Sequence, residues 1–323
     1  MKKTLRTSGL TLLGLSISFF TGLANAAIPS ELKLDYAYYA PTSLVVKEQK
    51  LLEKALPKTK IKWVFSQGSN RSLEYLNSGS TDFASTAGLA AVLSRANGSP
   101  IKTVYIQSQP EWTALVVNKD SNIKSLKDLK GKKIAATKGT DPFLFTLQAL
   151  DTIGLGKCDV ELVHLQHPDG KTALERKQVD AWAGLDPLMA SAQAQSGAKL
   201  LYRNVSFNSY SVLSVKDQFA KSSPEAIEAV IKAYEQARKW AKANPDKLAE
   251  LLAREAKLPI EVAKLQLSRT NLDQNIPTTK HTGALQKAGR ILTEEELVRK
   301  GINVNQVVTQ LFDARYAKKV VTK

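Results

Sequence analysis

The sequence predicts an α/β protein made of two lobes with a cleft between them. Strands and helices alternate over residues 32–107, the alternation restarts over residues 112–202, and helices alone follow from Pro224 onward. Such alternation indicates parallel sheets covered by helices. The chain of 323 residues is also longer than one core usually serves, which favours two lobes.

The N-terminus has the three parts of a secretory signal peptide. Lys2, Lys3 and Arg6 are followed by an apolar stretch over 10–20 and a small-x-small site over 24–26. We expect residues 1–26 to be removed by cleavage after Ala26 and the mature chain to reach the periplasm. Because the apolar stretch is shorter than the ~20 residues that span a bilayer, no membrane insertion is expected.

The first lobe is predicted to start with a strand over 32–39, which alternates apolar and polar residues. The elements that follow are a helix over 43–56, a strand over 60–66, a helix over 71–77, a strand over 82–86, a helix over 87–96 and a strand over 101–107.

The second lobe repeats the pattern after Pro110. Its predicted strands are 112–118, 132–137, 160–165, 179–183 and 198–202, and its helices are 125–129, 141–153, 170–176 and 187–196. An extended segment over 209–215 then leads to helices over 226–243, 245–256, 259–267, 283–289, 294–299 and 304–312, which we expect to pack on the first lobe. This places lobe 1 in residues 27–110 plus 210–323 and lobe 2 in residues 111–209.

The carboxyl ends of the predicted strands mark a candidate ligand site in the cleft. Ligands of open α/β sheets bind at this end of the strands, and three segments from each lobe meet there. A clamshell that closes on a small ligand is the arrangement we expect. The candidate ligand-binding residues are Tyr38, Tyr39, Gly68, Ser69, Asn70, Ser85, Thr86, Ala87, Gly88, Lys138, Gly139, Thr140, Asp141, Trp182 and Asp186.

The stretch 132–143 carries the strongest local signal for an anion site. A buried strand runs into the turn 138–140, and Asp141 and Pro142 suit the cap and first position of a helix. Unpaired N–H groups at a helix start, with the helix dipole behind them, attract phosphate, sulfate or sulfonate. An ordinary strand–turn–helix joint is the alternative.

Several candidates have a second interpretation. Asp186 either meets a positive group on the ligand or caps the next helix. Trp182 either lines the cleft or lies in the core, Lys138 is either a charge partner or a solvated side chain, and His167 is placed to face the cleft.

Enzyme, metal and nucleic-acid functions find little support in the sequence. The three histidines are a poor zinc set, and no nucleophile–base–acid set or Walker sequence occurs. The single Cys158 permits no intramolecular disulfide. The net charge of +16, or +13 without the signal peptide, favours anions, but the basic residues are scattered without interleaved aromatic residues. We therefore expect no cofactor and no nucleic acid.

Five segments resemble one family in order and spacing. They are LNSGSTDF (76–83), STAG (85–88), SLKDLKGKKIA (125–135), KGTD (138–141) and VDAW (179–182). From about Leu32 to Phe312 the chain resembles periplasmic substrate-binding proteins of ABC importers for aliphatic sulfonates, with taurine and nitrate relatives nearby.

The resemblance implies a bilobed periplasmic-binding-protein fold of type II-like arrangement. It further implies a monomer that captures a small organic anion and delivers it to an ABC permease with a cytoplasmic ATPase. N–H groups of 138–141 and the Thr140 hydroxyl would hold sulfonate oxygens, Ser85, Thr86 and Gly88 would do so from the other lobe, and Trp182 and the pair Tyr38-Tyr39 would wall the organic tail.

Three alternatives stay open at this point. The ligand is instead taurine, nitrate or another small anion, or the chain is a same-fold enzyme of the thiamine-pyrimidine type, or the liganded form also feeds a sensor. A single cysteine and a signal peptide argue against the enzyme. Asp141 is unusual for the family, because its carboxylate would compete with an anion unless it caps its own helix or meets a positive group.

Overall fold

The computed structural model describes residues 28–322, so the predicted signal peptide lies outside the described residues. The strands are β1 Glu31–Tyr36, β2 Lys60–Phe65, β3 Phe83–Ala87, β4 Ile101–Pro110, β5 Leu115–Val117, β6 Lys133–Ala135, β7 Glu161–Val163, β8 Ala181–Ala183, β9 Lys199–Tyr202, β10 Ser211–Lys216 and β11 Thr270–Asn271.

Helices make up most of the remaining regular structure. They are α1 Pro41–Glu48, α2 Leu51–Ala55, α3 Ser69–Ser78, α4 Gly88–Ala96, α5 Asp141–Asp151, α6 His167–Glu175, α7 Leu188–Ser196, α8 Asp217–Ser222, α9 Pro224–Ala243, α10 Pro245–Ala256, α11 Ile260–Leu267, α12 Thr279–Ala288, α13 Arg290–Glu294, α14 Val304–Leu311 and α15 Arg315–Val321. Short 3₁₀ turns occupy Leu126–Leu129, Lys157–Asp159 and Val205–Phe207.

Two mixed sheets confirm the predicted α/β class, but the expected parallel pairing is confined to β2-β1-β3 in one sheet and β7-β6-β8 in the other. The first sheet has the order β11-β4-β10-β3-β1-β2 and the second the order β7-β6-β8-β5-β9. Strands β5 and β10 each run antiparallel to both of their neighbours. Each of these two strands follows a crossing between the sheets. The first crossing, residues 111–114, precedes β5, and the second, residues 203–210, precedes β10, so the chain enters either sheet in the opposite direction to the strands beside it.

The C-terminal helices pack on the first sheet, as predicted. Ile227 and Tyr234 of α9 share one buried cluster with Leu34 of β1 and Val45 of α1. Helices α12 and α13 also reach the second lobe, where Arg290 pairs with Asp151 of α5 at 2.5 Å. The helical C-terminal part is therefore not a separate domain.

Some predicted boundaries were wrong for local reasons that affect the site. The first strand ends at Tyr36, because Ala37 and Ala40 close a turn through a 3.1 Å hydrogen bond. The predicted helix over 43–56 breaks at Lys50, which has a φ of 51°. The helix expected over 170–176 begins earlier, at His167.

Other corrections concern the second half of the chain. The helix expected over 294–299 is instead α13, which ends before Glu296 turns left-handed at a φ of 52°. Helices α8 and α15 had no counterpart in the prediction. Across residues 28–322, we find no helix whose length and apolar character would let it cross a membrane.

Candidate functional site

Helix α3 of the first lobe and helix α5 of the second begin at the same seam between the sheets. A β-carbon on Gly139, in the turn before α5, would lie 3.7 Å from Cβ of Asn70, the second residue of α3. Gly139 has a φ of +78°, so this turn depends on the left-handed conformation that glycine adopts easily. The two predicted segments 68–70 and 138–141 are thus brought together.

The backbone donors at both helix starts are unpaired within residues 28–322. The N–H groups of Gly139, Thr140 and Asp141 donate to no acceptor there, and neither do those of Ser69 and Asn70. The first N–H groups of any helix lack intrahelical acceptors and carry the positive end of the helix dipole. Two such ends at one seam form a site suited to an anion.

Two side chains of the glycine turn have other roles than expected. The Thr140 hydroxyl donates to the Thr137 carbonyl oxygen at 2.6 Å, so its proton is committed to the turn. Lys138 is exposed and forms no salt bridge within the described chain, which is the solvated alternative for this side chain. The backbone of the turn, more than its side chains, supplies the donors.

The first-lobe turn 85–88 offers hydroxyl groups instead of backbone donors, because the buried hydroxyls of Ser85 and Thr86 have no partner in the described chain. Its backbone donors are already paired: Ala87 N–H with Ser69 Oγ at 2.9 Å, and Gly88 N–H with the Tyr210 carbonyl oxygen at 2.8 Å. Ser85 N–H donates to the buried carboxylate of Asp35 at 2.8 Å. This turn therefore supports α3 and the second crossing, and the start of α3 supplies the free N–H groups on the first-lobe side.

Asp141 does not cap its own helix, and its carboxylate is occupied by donors of the protein. Its carboxylate accepts hydrogen bonds from Trp112 Nε1 at 2.9 Å, from Ser209 N at 2.8 Å and from Ser209 Oγ at 2.7 Å. Thr140, not Asp141, is the cap residue of α5. Burial raises the pKa of Asp141, and its three donors oppose that shift. Asp141 thereby ties the start of α5 to both chain crossings.

Asp186 has the capping role that was one of its two interpretations. It accepts a hydrogen bond from Ala190 N in the first turn of α7 at 2.9 Å. Its cationic partner is Arg269, 3.3 Å away and also buried. Burial raises the pKa of Asp186 to about 7 in spite of the opposing charge of Arg269.

An apolar cavity of about 190 Å³ adjoins the helix starts. Tyr38, Tyr39 and Phe65 line it from the first lobe, and the ring centroids of Tyr38 and Phe65 are 4.6 Å apart. The second lobe and the C-terminal helices close it, through His167, Pro168, Leu185, Asp186, Pro187, Leu188, Ala256 and Leu258. The predicted aromatic pair is thus on the cavity wall.

Trp182 is a core residue. It is 1% exposed and packs with Val116 and Ala135 in the core of the second lobe. A β-carbon on Gly170 would lie 2.7 Å from its indole nitrogen, so the ring covers α6 instead of the cleft. Trp112 is buried as well, at 2% exposed, and its ring centroid lies 5.7 Å from that of Tyr39.

Four site residues were missed or only partly anticipated. Gln67 and Phe65 line the cavity, and the end of strand β2 was the available signal for both. Arg269 was missed, because no local pattern in the sequence marks it as a residue of the site. His167 was expected to face the cleft, and its position before Pro168 is typical of a helix start.

Metal binding has no support in the described chain, where no three His, Cys, Asp or Glu side chains are grouped to hold an ion. A larger and more open hollow of about 640 Å³ lies beside the crossings, lined by charged residues such as Glu111, Lys242 and Asp273. Lys242 pairs with Asp273 there, and Glu111 with Arg203, so these charges are already neutralised.

Two mixed sheets, a seam between helix starts and an adjoining cavity are the arrangement of the bilobed periplasmic-binding-protein fold. The chain belongs to the NMT1/THI5-like family, whose sequence model matches residues 60–248. This family assignment is consistent with the resemblance found in the sequence.

Curated relatives cover nearly the whole chain. A putative aliphatic sulfonates-binding protein of Escherichia coli is 29% identical over 299 residues, which span 92% of this chain and 93% of the relative. One of Bacillus subtilis is 30% identical over 274 residues, 83% of this chain and 82% of the relative.

The fold matches a solved structure of the same class. The alkanesulfonate-binding protein of Xanthomonas axonopodis pv. citri, bound to MOPS, superposes with a TM-score of 0.82 at 24% identity. The match covers 89% of this chain and 99% of that one. The bilobed periplasmic-binding-protein fold is therefore confirmed.

Proposed function

We propose that this protein is the periplasmic solute-binding component of an ABC importer and that it captures an aliphatic sulfonate or sulfate ester by hinge closure. The observation that carries the proposal is the meeting of two helix starts with unpaired N–H groups beside an apolar cavity. The names of the curated relatives support the same ligand class.

The donors suit a monoanion with an organic tail. Each charge-assisted hydrogen bond from a neutral N–H group to a sulfonate oxygen contributes about 1.5–3 kcal/mol. No lysine or arginine is among the described residues that line the cavity, and the buried Arg269 beside it is already paired with Asp186, so the site buries no unpaired counter-charge. Burial of the tail adds about 25 cal/mol per Å² of apolar surface.

The cavity favours sulfonates over the alternative anions. Nitrate has no tail to fill about 190 Å³ lined by Tyr38, Tyr39 and Phe65. Taurine carries an ammonium group that needs a free carboxylate, and both buried candidates are committed, Asp141 to Trp112 and Ser209 and Asp186 to Arg269. An alkanesulfonate fits both the donors and the walls.

We propose binding without turnover. Cys158 is exposed and does not line the cavity, and His167 is the titratable base at the seam. The hydroxyl bonded to that histidine is that of Thr137, which donates its proton to the Leu165 carbonyl oxygen, so the ring does not act on it as the base that nucleophilic catalysis requires.

A ligand panel tests the proposal. The chain from Ala27 is titrated with alkanesulfonates, sulfate esters, taurine, nitrate and sulfate, followed by thermal shift and calorimetry, and each mixture is assayed for products. We expect binding of sulfonates or sulfate esters with no product. If nitrate or taurine binds more tightly, that anion and not a sulfonate is the ligand. Product formation would show that the protein is an enzyme.

Export and partnership need separate tests. We propose that the precursor is processed after Ala26, that the mature chain is a periplasmic monomer and that it delivers ligand to a permease with a cytoplasmic ATPase. Fractionation of cells that express the chain with and without residues 1–26 tests export. Deletion of the neighbouring permease abolishes ligand uptake if the chain serves transport, whereas a sensor would still signal.

A further inference from the structure

The hydrogen bonds around Thr137 fix the tautomer of His167. The Thr137 hydroxyl donates its single proton to the Leu165 carbonyl oxygen at 2.7 Å. It can therefore only accept from His167 Nδ1, which lies 3.1 Å away. The proton of a neutral His167 ring must then be on Nδ1, and Nε2 carries a lone pair.

The surroundings of His167 keep the ring neutral. The side chain is fully buried, and no carboxylate in residues 28–322 forms a salt bridge with it. Asp186, which lines the same cavity, is engaged by Arg269. Burial lowers the pKa of His167 to about 3.

The lone pair of Nε2 faces the seam between the lobes. A β-carbon on Gly68 would lie 2.8 Å from Nε2 and 3.0 Å from Asn70 Oδ1. Both atoms are buried, and neither has a hydrogen-bond partner in the described chain. Two acceptors without a donor cost free energy, and the cost is recovered when a ligand supplies the donor.

We infer that His167 is a specificity-determining residue that selects sulfonates carrying a hydroxyl group. The inference rests on the proposed function. The helix starts hold the sulfonate, the aromatic cavity takes the carbon frame, and His167 Nε2 accepts a hydrogen bond from the ligand hydroxyl. An ammonium group would also donate, but it would lack the free carboxylate that a buried cation requires.

Isosteric ligand pairs test the inference. The chain from Ala27 is titrated by calorimetry with 2-hydroxyethanesulfonate against 1-propanesulfonate, and with 4-hydroxybenzenesulfonate against 4-methylbenzenesulfonate. Each pair exchanges a hydroxyl for a methyl group of similar size. We expect the hydroxyl ligand of at least one pair to bind about tenfold more tightly, as one additional buried hydrogen bond would give.

Two variants assign that preference to His167. In His167→Phe an aromatic ring is kept and the acceptor is lost. The ratio of the affinities for the hydroxyl and the methyl ligand should therefore fall to about one. Thr137→Val keeps the branched shape but no longer accepts from Nδ1. The proton can then also lie on Nε2, so the same affinity ratio should fall while the protein still folds.

Three outcomes would overturn the inference. Equal binding within both pairs would do so and leave the proposed function standing, and so would a preference that His167→Phe does not change. Tighter binding of 1-propanesulfonate as the pH is lowered to 5.5 would show an imidazolium that pairs with the anion. No binding of any of the four sulfonates would overturn the proposed function as well.

Discussion

Asp186 and Arg269 form a buried ion pair between the segment that precedes α7 and the segment that follows α11. Their side chains are 1% and 8% exposed, and Arg269 also contacts Gln193 of α7. Glu111 N–H, at the first crossing, donates to the Arg269 carbonyl oxygen at 2.8 Å. The pair thus joins the second lobe to the C-terminal helices beside the cavity.

Removal of the arginine should destabilise the protein in a pH-dependent way. In Arg269→Met, Asp186 is left buried without a counter-charge, which costs about 3 kcal/mol at pH 8. In wild type the pKa of Asp186 is raised to about 7, so at pH 6 the carboxyl is already mostly protonated and gains little from the charge of Arg269; the loss should therefore be smaller at pH 6. Urea unfolding at both pH values measures the difference.

The double variant Arg269→Met with Asp186→Asn is the matched control. It removes both charges and should recover part of the stability at pH 8. Equal losses at pH 6 and pH 8, or additive effects in the double variant, would show that the two side chains are not coupled.

Asp35 should make the protein less stable as the pH rises from 4 to 7. This carboxyl is fully buried and accepts from Ser66 Oγ at 2.8 Å and from Ser85 N at 2.8 Å, without a cation. Burial raises the pKa of Asp35 to about 6. A raised pKa in the folded state gives stability that is present below the unfolded value near 3.8 and is lost as the pH passes 6.

The comparison with Asp35→Asn isolates this effect. Across the window from pH 4 to pH 7, wild type should lose about 3 kcal/mol relative to the variant, because two pKa units correspond to that free energy. Asp186 titrates in the same direction but is present in both proteins, so its contribution cancels. If the difference in unfolding free energy between wild type and Asp35→Asn stays constant from pH 4 to pH 7, the pKa of Asp35 is not raised.

Local patterns were sufficient to predict most of the elements and some of the residues that line the cavity. Pro245 and the apolar spacing after it placed α10 at its observed bounds, and the strand ends placed Tyr38 and Tyr39 at the cavity. Sequence alone does not indicate that Arg269 meets Asp186, 83 residues earlier, because no local signal encodes that contact.

Trp182 shows a second limit of the same kind. Its strand is buried on both faces, so the alternation that distinguishes a cleft face from a core face is missing. The role of Asp141 was hidden for another reason: its partner Ser209 is 68 residues away and was assigned to an extended segment without a contact.

Gly68 should be required for closure of the lobes. Its φ of −179° suits any residue, so Gly68→Ala introduces no backbone strain. The new β-carbon would lie 2.8 Å from His167 Nε2 on the opposite lobe, so the seam cannot close fully. We expect the unfolding free energy to change little and sulfonate affinity to fall about tenfold or more in calorimetry.

Gly283→Ala provides the control for this substitution. Nothing lies within 4 Å of its added β-carbon, and it is in helix α12, so affinity should be unchanged. Small-angle scattering with and without ligand should show compaction in wild type and Gly283→Ala but not in Gly68→Ala. Compaction of all three would refute the steric argument.

Substitution of Asp141 should lower the free energy of unfolding more than it changes the choice of ligand. Asp141→Ala leaves Trp112 Nε1 and the Ser209 N–H buried without an acceptor, which costs about 2–4 kcal/mol. Trp112→Phe removes only one of these bonds and should cost less. Chemical unfolding ranks the two, and a selective loss of taurine binding in Asp141→Asn would indicate that the carboxylate faces the ligand after all.

The glycine turn before α5 should tolerate asparagine but not valine at position 139. The φ of +78° at Gly139 is accessible to asparagine and strongly disfavoured for a β-branched residue. The added β-carbon itself has room, because its nearest neighbour, Asn70 Cβ, is at an ordinary 3.7 Å. The difference between the two variants therefore reports the backbone conformation and not crowding.

We expect Gly139→Val to redirect the N–H groups of the turn and to lower sulfonate affinity by about 1.5–3 kcal/mol for each lost bond, while Gly139→Asn stays near wild type. Equal affinities in calorimetry would mean that these N–H groups do not bind the anion.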